Sequence, residues 1–227
     1  MKIIQTPSPN FDARGRAIDM IIFHYTGMES GAAALARLRD PEAKVSAHYL
    51  VEENGDVYQL VADDNRAWHA GVASWKGESD INARSVGVEI VNPGHEFGYR
   101  DFPEAQIESV LSLVRGLVDR HGVKPTYILG HSDVAPRRKE DPGEKFPWRR
   151  LADEGLALAP YDGDGESGGV VSYEDALRAL SKIGYDAPPG DHAAALLAFQ
   201  RRFCPASLGQ GFDKRTKAAL VSVSTMF

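Results

Sequence analysis

"IDMIIFHY", Ile18 to Tyr25, is a short apolar run with β-branched residues that ends on a histidine and a tyrosine. A run of this length and composition reads as a buried strand. "SVGVEIVN", Ser85 to Asn92, reads as another, with Val86, Val88 and Ile90 alternating against Gly87, Glu89 and Val91. "TYILG", Thr126 to Gly130, is a third. Outward from these, "GAAALARLRD" (Gly31 to Asp40) has helical composition and stops before Pro41. "AHYLVEENGDVYQLV" (Ala47 to Val61) is two strands about an Asn54-Gly55 turn. Pro103 to His121 places Ile107, Val110, Leu111, Val114, Leu117 and Val118 at helical spacing, with Gly122 as a stop. Strands and helices interleave. The pattern predicts an α/β fold, a mixed β-sheet flanked by helices.

The 227 residues suffice for one medium domain and a small one. "YDGDGESGGV" (Tyr161 to Val170) carries little to bury and reads as a linker that leaves the following part free to move. Three helical patterns follow, near 173–183, 191–203 and 213–221. The expected division is 1–160, a linker at 161–171, and a small three-helix domain at 172–227. A net charge of −6 argues against nucleic acid as a partner, which needs a basic footprint. No apolar run approaches the roughly 20 residues of a membrane span, so no transmembrane segment is expected. The single cysteine, Cys204, allows no internal disulfide and fits a reducing compartment. The start, "MKIIQTPSPNFDARG", lacks the pattern of a signal peptide and has no cysteine for a lipoprotein anchor. The expectation is therefore cytoplasmic, with a periplasmic or outer-membrane-associated site as the alternative if an export signal was trimmed.

"GHSDVAPRRKEDPG", Gly130 to Gly143, crowds one histidine, three carboxylates and three basic side chains into a stretch with two prolines. Pro136 and Pro142 keep it from being a regular helix or central strand. His24 ends one strand and His131 follows another, and strand ends of an open sheet converge on a crevice. With Asp141 they make a neutral-imidazole and carboxylate set that suits Zn²⁺ with an open position for water. The competing reading makes His24 a satisfied half-buried histidine and Asp141 a turn former before Pro142. Glu89 should project from the polar side of its strand, either to solvent or, as a general base, toward a metal-bound water. Lys139, two residues before Asp141, is a solvated cation or a charge beside the same metal. In "AWHAGV" (Ala67 to Val72), Trp68 offers an apolar face and His69 a polar contact. A buried structural tryptophan is the alternative there. His95, His121 and His192 read as surface residues.

Five motifs occur in series between Ile18 and Trp148: "IIFHYTGM", "SAHYLVEENGDVYQLV", "AWHAGVASWKG", "INARSVGVEIVN" and "GHSDVAPRRKEDPGEKFPW". Together they resemble the zinc N-acetylmuramoyl-L-alanine amidases of the AmpD and AmiD type, in the amidase/peptidoglycan-recognition superfamily. The resemblance implies a shallow zinc cleft on a mixed sheet. It implies hydrolysis of the amide joining N-acetylmuramic acid, or its 1,6-anhydro form, to L-alanine of the stem peptide. Peptidoglycan or soluble anhydro-muropeptides are the implied partners. Position by position, it implies Zn²⁺ ligands at His24, His131 and Asp141, a catalytic glutamate at Glu89 and a catalytic lysine at Lys139. His69 matches a cleft histidine near the substrate. Residues 172–227 resemble a small peptidoglycan-binding domain, more weakly, through "ALRALSKIGY", "ALLAFQRRF" and "FDKRTKAAL". The rival is a non-catalytic peptidoglycan receptor on the same fold. An intact ligand set with Glu89 and Lys139 separates the two. No His-Glu-x-x-His peptidase motif is present.

Overall fold

The computed structural model describes residues 2–188 and 190–227. The strands and helices run β1 (Ile3–Gln5), β2 (Phe11–Ala13), β3 (Met20–Tyr25), α1 (Gly31–Arg39), β4 (Tyr49–Val51), β5 (Val57–Gln59) and β6 (Asn65–Ala67). They continue α2 (Ile81–Arg84), β7 (Ser85–Ile90), α3 (Gly94–Phe97), α4 (Glu104–His121), β8 (Ile128–Gly130), α5 (His131–Val134) and α6 (Trp148–Asp153). Three further helices close the chain, α7 (Tyr173–Ile183), α8 (Ala193–Phe203) and α9 (Lys214–Ser224). The main sheet has the order β1-β5-β4-β7-β3-β8 and is mixed, because only β4 and β5 pair antiparallel. The mixed α/β architecture is the expected one. The Asn54-Gly55 segment does turn β4 into β5, with Asn54 Oδ1 accepting the Asp56 N–H at 2.9 Å.

Local chemistry sets the helix limits. Ser30 caps α1 by accepting the Ala33 N–H, and Pro41 follows its last turn. α4 ends at Gly122, whose φ of 67° is left-handed. The period of α4 drives Ile107, Val110, Leu111, Val114 and Leu117 onto one face of the sheet, against Ile21, Phe23, Val86, Val88 and Ile90. Each fully buried aliphatic side chain contributes about 1.5–3 kcal/mol. A charge placed at Val114, which is wholly buried, would be desolvated without a partner and should break this layer. Gln106 pins the helix by donating to the Val51 and Val91 carbonyls at 3.1 and 2.9 Å.

The opposite face carries Met20, Ile22 and Leu129, and there the structure departs from the expectation of a loosely tethered end. These residues share one core with Trp75, Ile81 and Val134, and with Ala176, Leu180, Ile183, Phe199, Phe203 and Leu220 of the last three helices. The glycine-rich stretch, though mostly exposed, is held at points. Tyr161 N–H donates to the Phe203 carbonyl at 2.8 Å, and a short 3₁₀ turn, Glu166–Val170, lies on α9. A Cβ on Gly168 would fall 1.8 Å from the Lys214 carbonyl oxygen. Glycine was read as freedom to move; here it serves close approach.

Candidate active site

β3 and β7 pair in parallel with His24 opposite Glu89, so both side chains rise from the same sheet face at the strands' C-terminal ends. β8 runs on the other side of β3 and delivers His131 just past its end. The loop after α5 folds back until the Asp141 carbonyl accepts the Ser132 N–H at 2.9 Å, which brings its carboxylate beside His131. Tyr99 holds the far end of the loop, donating its hydroxyl to the Pro142 carbonyl at 2.8 Å.

Three atoms converge. His24 Nδ1 and His131 Nδ1 lie 2.9 Å apart, and Asp141 Oδ2 is 3.1 and 3.0 Å from them. The surrounding hydrogen bonds fix the ring protons elsewhere. His131 Nε2 faces the Ala70 carbonyl at 3.0 Å, which can only accept, so that nitrogen carries the proton. Ser85 donates to the Ile81 carbonyl at 2.7 Å, and its oxygen can then accept from His69 Nε2 at 3.1 Å. His69 Nδ1 is left bare to accept from His24 Nε2 at 3.0 Å. Both central Nδ1 atoms therefore present lone pairs beside a carboxylate. Three buried acceptors with no donor between them call for a cation, and the donor set of two imidazoles and one carboxylate fits a metal ion. Burial first, then the charge at His131, pushes His24 down to about 4, which keeps it neutral near pH 7. Burial alone would push the Asp141 carboxyl up. The His131 and then the His24 ring beside it outweigh burial and hold it below the usual carboxylate range.

Glu89 stands at the edge of this cluster. Its Oε2 is buried without a hydrogen-bond partner, and burial raises its pKa well above the ordinary value, with the Asp141 charge adding to the effect. The Lys139 charge opposes that rise and also reaches His24. His24, Glu89, His131, Lys139 and Asp141 all line one cleft of about 760 Å³, together with Trp68 and His69. Trp68 is half-buried on the wall, its indole N–H donating to Asp12 Oδ2 at 3.2 Å. His69 has both ring nitrogens engaged, so it orients His24 from behind while one edge meets the cleft.

Several residues of the site went unseen in the sequence. Asn82 Oδ1 accepts the His69 and Ala70 N–H groups at 3.1 and 2.8 Å and so shapes the Trp68–His69 loop. Gly87 leaves room for the His69 ring, which a Cβ would meet at 2.4 Å; a glycine inside a strand was the available signal. Arg138 donates to the Ala70 and Val72 carbonyls and ties the two loops together. His95, read as a surface residue, is exposed but lines the cleft, 3.0 Å from the Tyr25 hydroxyl. His121 is half-buried against Asp63 at 3.0 Å.

A family profile described as N-acetylmuramoyl-L-alanine amidase matches residues 14–144. The N-acetylmuramoyl-L-alanine amidase AmiD of Escherichia coli is 31% identical over 95% of this chain and 88% of its own. The chain belongs to the N-acetylmuramoyl-L-alanine amidase family. The amidase is also 32% identical to the 1,6-anhydro-N-acetylmuramyl-L-alanine amidase AmpD of E. coli, over 65% of this chain and 88% of that one. Its fold matches AmiD from E. coli in complex with the substrate anhydro-N-acetylmuramic acid-L-Ala-D-gamma-Glu-L-Lys, with a TM-score of 0.83. That match has 29% identity and covers 95% of this chain and 93% of AmiD. AmpDh3 from Pseudomonas aeruginosa matches at the same TM-score and identity over 98% and 96%. No helix among the described residues of the amidase is long and apolar enough to cross a membrane.

Proposed function

We propose that this amidase holds one Zn²⁺ on His24, His131 and Asp141. In our reading it hydrolyses the amide between N-acetylmuramic acid, or its 1,6-anhydro form, and the L-alanine of the stem peptide. The observation that carries this is the trio of proton-free acceptors 2.9–3.1 Å apart, set beside an unpaired buried carboxylate oxygen of Glu89. When bound, Zn²⁺ supplies Lewis acidity and lowers the pKa of water at its open position. Glu89 takes the proton from the attacking water. Its raised pKa suits it to release that proton again to the leaving amine. Lys139 offers its ammonium to the oxyanion that develops at the scissile carbonyl. Trp68 gives a sugar or acyl face something flat to lie on. A receptor that only binds would gain nothing from a buried unpaired Glu89, which speaks for the enzyme.

Soluble 1,6-anhydro-muropeptide is the proposed substrate, because the similar structures of AmiD and AmpDh3 are complexes with anhydromuramic peptides. We propose a cytoplasmic site, the single cysteine, Cys204, fitting a reducing compartment. Recovery in the periplasmic or membrane fraction of cells would overturn that placement. The deciding experiment offers polymeric sacculi and a soluble anhydro-muropeptide separately and reads products by mass spectrometry, with elemental analysis of the enzyme. Release of intact stem peptide, abolished by chelation and restored by Zn²⁺, is expected. Full activity in metal-free protein, or cleavage within the peptide, would sink the reading.

A further inference from the structure

The loop that carries His131, Lys139 and Asp141 is gripped from behind by the C-terminal helices. Arg202 on α8 is only 3% exposed and Asp133 only 1%. Arg202 Nη1 donates to Asp133 Oδ2 at 2.7 Å, and Nη2 donates to the Ile128 carbonyl at 2.7 Å. The guanidinium also lies over the Trp148 ring, 4.1 Å from its centroid. Tyr185, just past α7, donates its hydroxyl to Asp133 Oδ1 at 2.6 Å. The same carboxylate accepts the Gly130 N–H at 2.8 Å. Asp133 thus joins the backbone immediately before His131 to two side chains from the far end of the sequence.

The next residue back on α8 reaches the loop's other end. Arg201 Nη2 donates to Glu140 Oε1 at 3.1 Å, and its Nε faces Glu144 at 3.7 Å. Between them Arg137 pairs with Asp186 and Asp191, both on the connection from α7 to α8. The loop has two prolines and no strand partner, so its own backbone fixes it poorly. A buried ion pair such as Arg202–Asp133 is weak evidence for stability, since an apolar pair of similar volume often packs as well. What it supplies is direction: a planar, five-donor fork meets a carboxylate in few orientations.

We propose that Arg202 and Arg201 are positioning residues, through which the C-terminal helices hold loop 130–144 so that His131 and Asp141 face His24. The helices then belong to the catalytic unit whether or not they also bind wall polymer. The metal arm of the test rests on the zinc reading; the exchange arm does not. The full chain is compared with Arg202→Gln, Arg201→Gln and, as a control, Leu180→Ala, which loosens the shared core but leaves the hydrogen bonds of both arginines in place. Hydrogen exchange is read over 130–144 and over β3 and β7, and Zn²⁺ release is read with a chromogenic chelator.

Both arginine variants should raise exchange in 130–144 while leaving β3 and β7 as in the wild type. They should weaken Zn²⁺ retention by ~10–100-fold, the range typical when a residue supporting a metal ligand is lost. Leu180→Ala should lower the melting temperature without that local pattern. Unchanged exchange over 130–144, or the same pattern from Leu180→Ala at an equal drop in melting temperature, would overturn the proposal. If Arg202→Gln does not fold, Arg201→Gln decides alone. If the wild type holds no Zn²⁺, the metal reading fails and the exchange arm still decides this one.

Discussion

The two ends of one sheet face have the same alternation and opposite fates. Met20 and Ile22 on β3, with Leu129 on β8, lie under α7, α8 and α9 in a continuous apolar core. Two residues beyond Ile22 stands His24, and across from it Glu89, and there the cover stops and the cleft begins. One end is dry and filled with carbon. The other holds two imidazoles, two carboxylates and, at its rim, an ammonium. The difference teaches that the C-terminal helices define the site by where they end. They also brace its loop, so cover and cleft are built together.

The largest effect should come from removing the cover. A chain ended after Pro160 would bare Met20, Ile22, Trp75, Ile81, Leu129 and Val134. At about 1.5–3 kcal/mol per buried side chain, even half that loss rivals the ~5–15 kcal/mol stability of a whole domain. It should aggregate or melt without a cooperative transition by circular dichroism. A truncated chain that melts like the full one would mean the two parts are independent after all, as the glycine-rich stretch suggests when read by composition alone.

At the open end, Glu89→Gln should cut turnover by ~10²–10⁴-fold, the usual cost of a lost general base, while metal content measured by elemental analysis stays at the wild-type level. The substitution keeps size and removes only a carboxylate that has no structural partner on Oε2. Retained turnover would remove Glu89 from the chemistry. Loss of metal would make it a ligand.

The smallest effect lies between the ends, at His48. It is fully buried, its Nδ1 accepts the Gly87 N–H at 2.9 Å, and burial followed by the Arg14 charge pushes it down to about 3. Unfolded histidine titrates near ~6.5, so the folded pKa is the lower one. Its stabilising share is therefore complete above pH ~6.5 and is lost as pH falls toward about 3. His24, pushed to about 4, acts in the same direction. Melting temperature should decline across that window, and His48→Asn, which can still accept the Gly87 N–H, should flatten the decline. An unchanged slope would show that His48 contributes nothing to acid sensitivity.

The fold was largely legible because its signals are local. The alternation of Val86, Val88 and Ile90, the spacing of Ile107 to Leu117, and the Asn54-Gly55 turn each depend on neighbours a few residues away. The candidate site was legible in kind, since His24, Glu89, His131 and Asp141 sit at ends of recognisable strands or in a loop too irregular for anything else. Asn82, Ser85 and Arg138 left no trace, because a side chain that holds another loop's backbone looks like any polar residue in sequence.

By itself, then, the sequence determined the sheet, the helix packed on its far side, and the residue types able to bind a metal and move a proton. Tertiary structure alone decided that three acceptors meet without a proton among them. It also decided that the stretch from Tyr161 to Val170 is held at Tyr161 and Gly168, and that Arg201 and Arg202 reach back 61 and 69 residues to loop 130–144. The physical reason is range. Periodicity and turn chemistry are written within one turn of chain, whereas hydrogen-bond partners and shared cores pair residues far apart, and no spacing along the chain records which ones will meet.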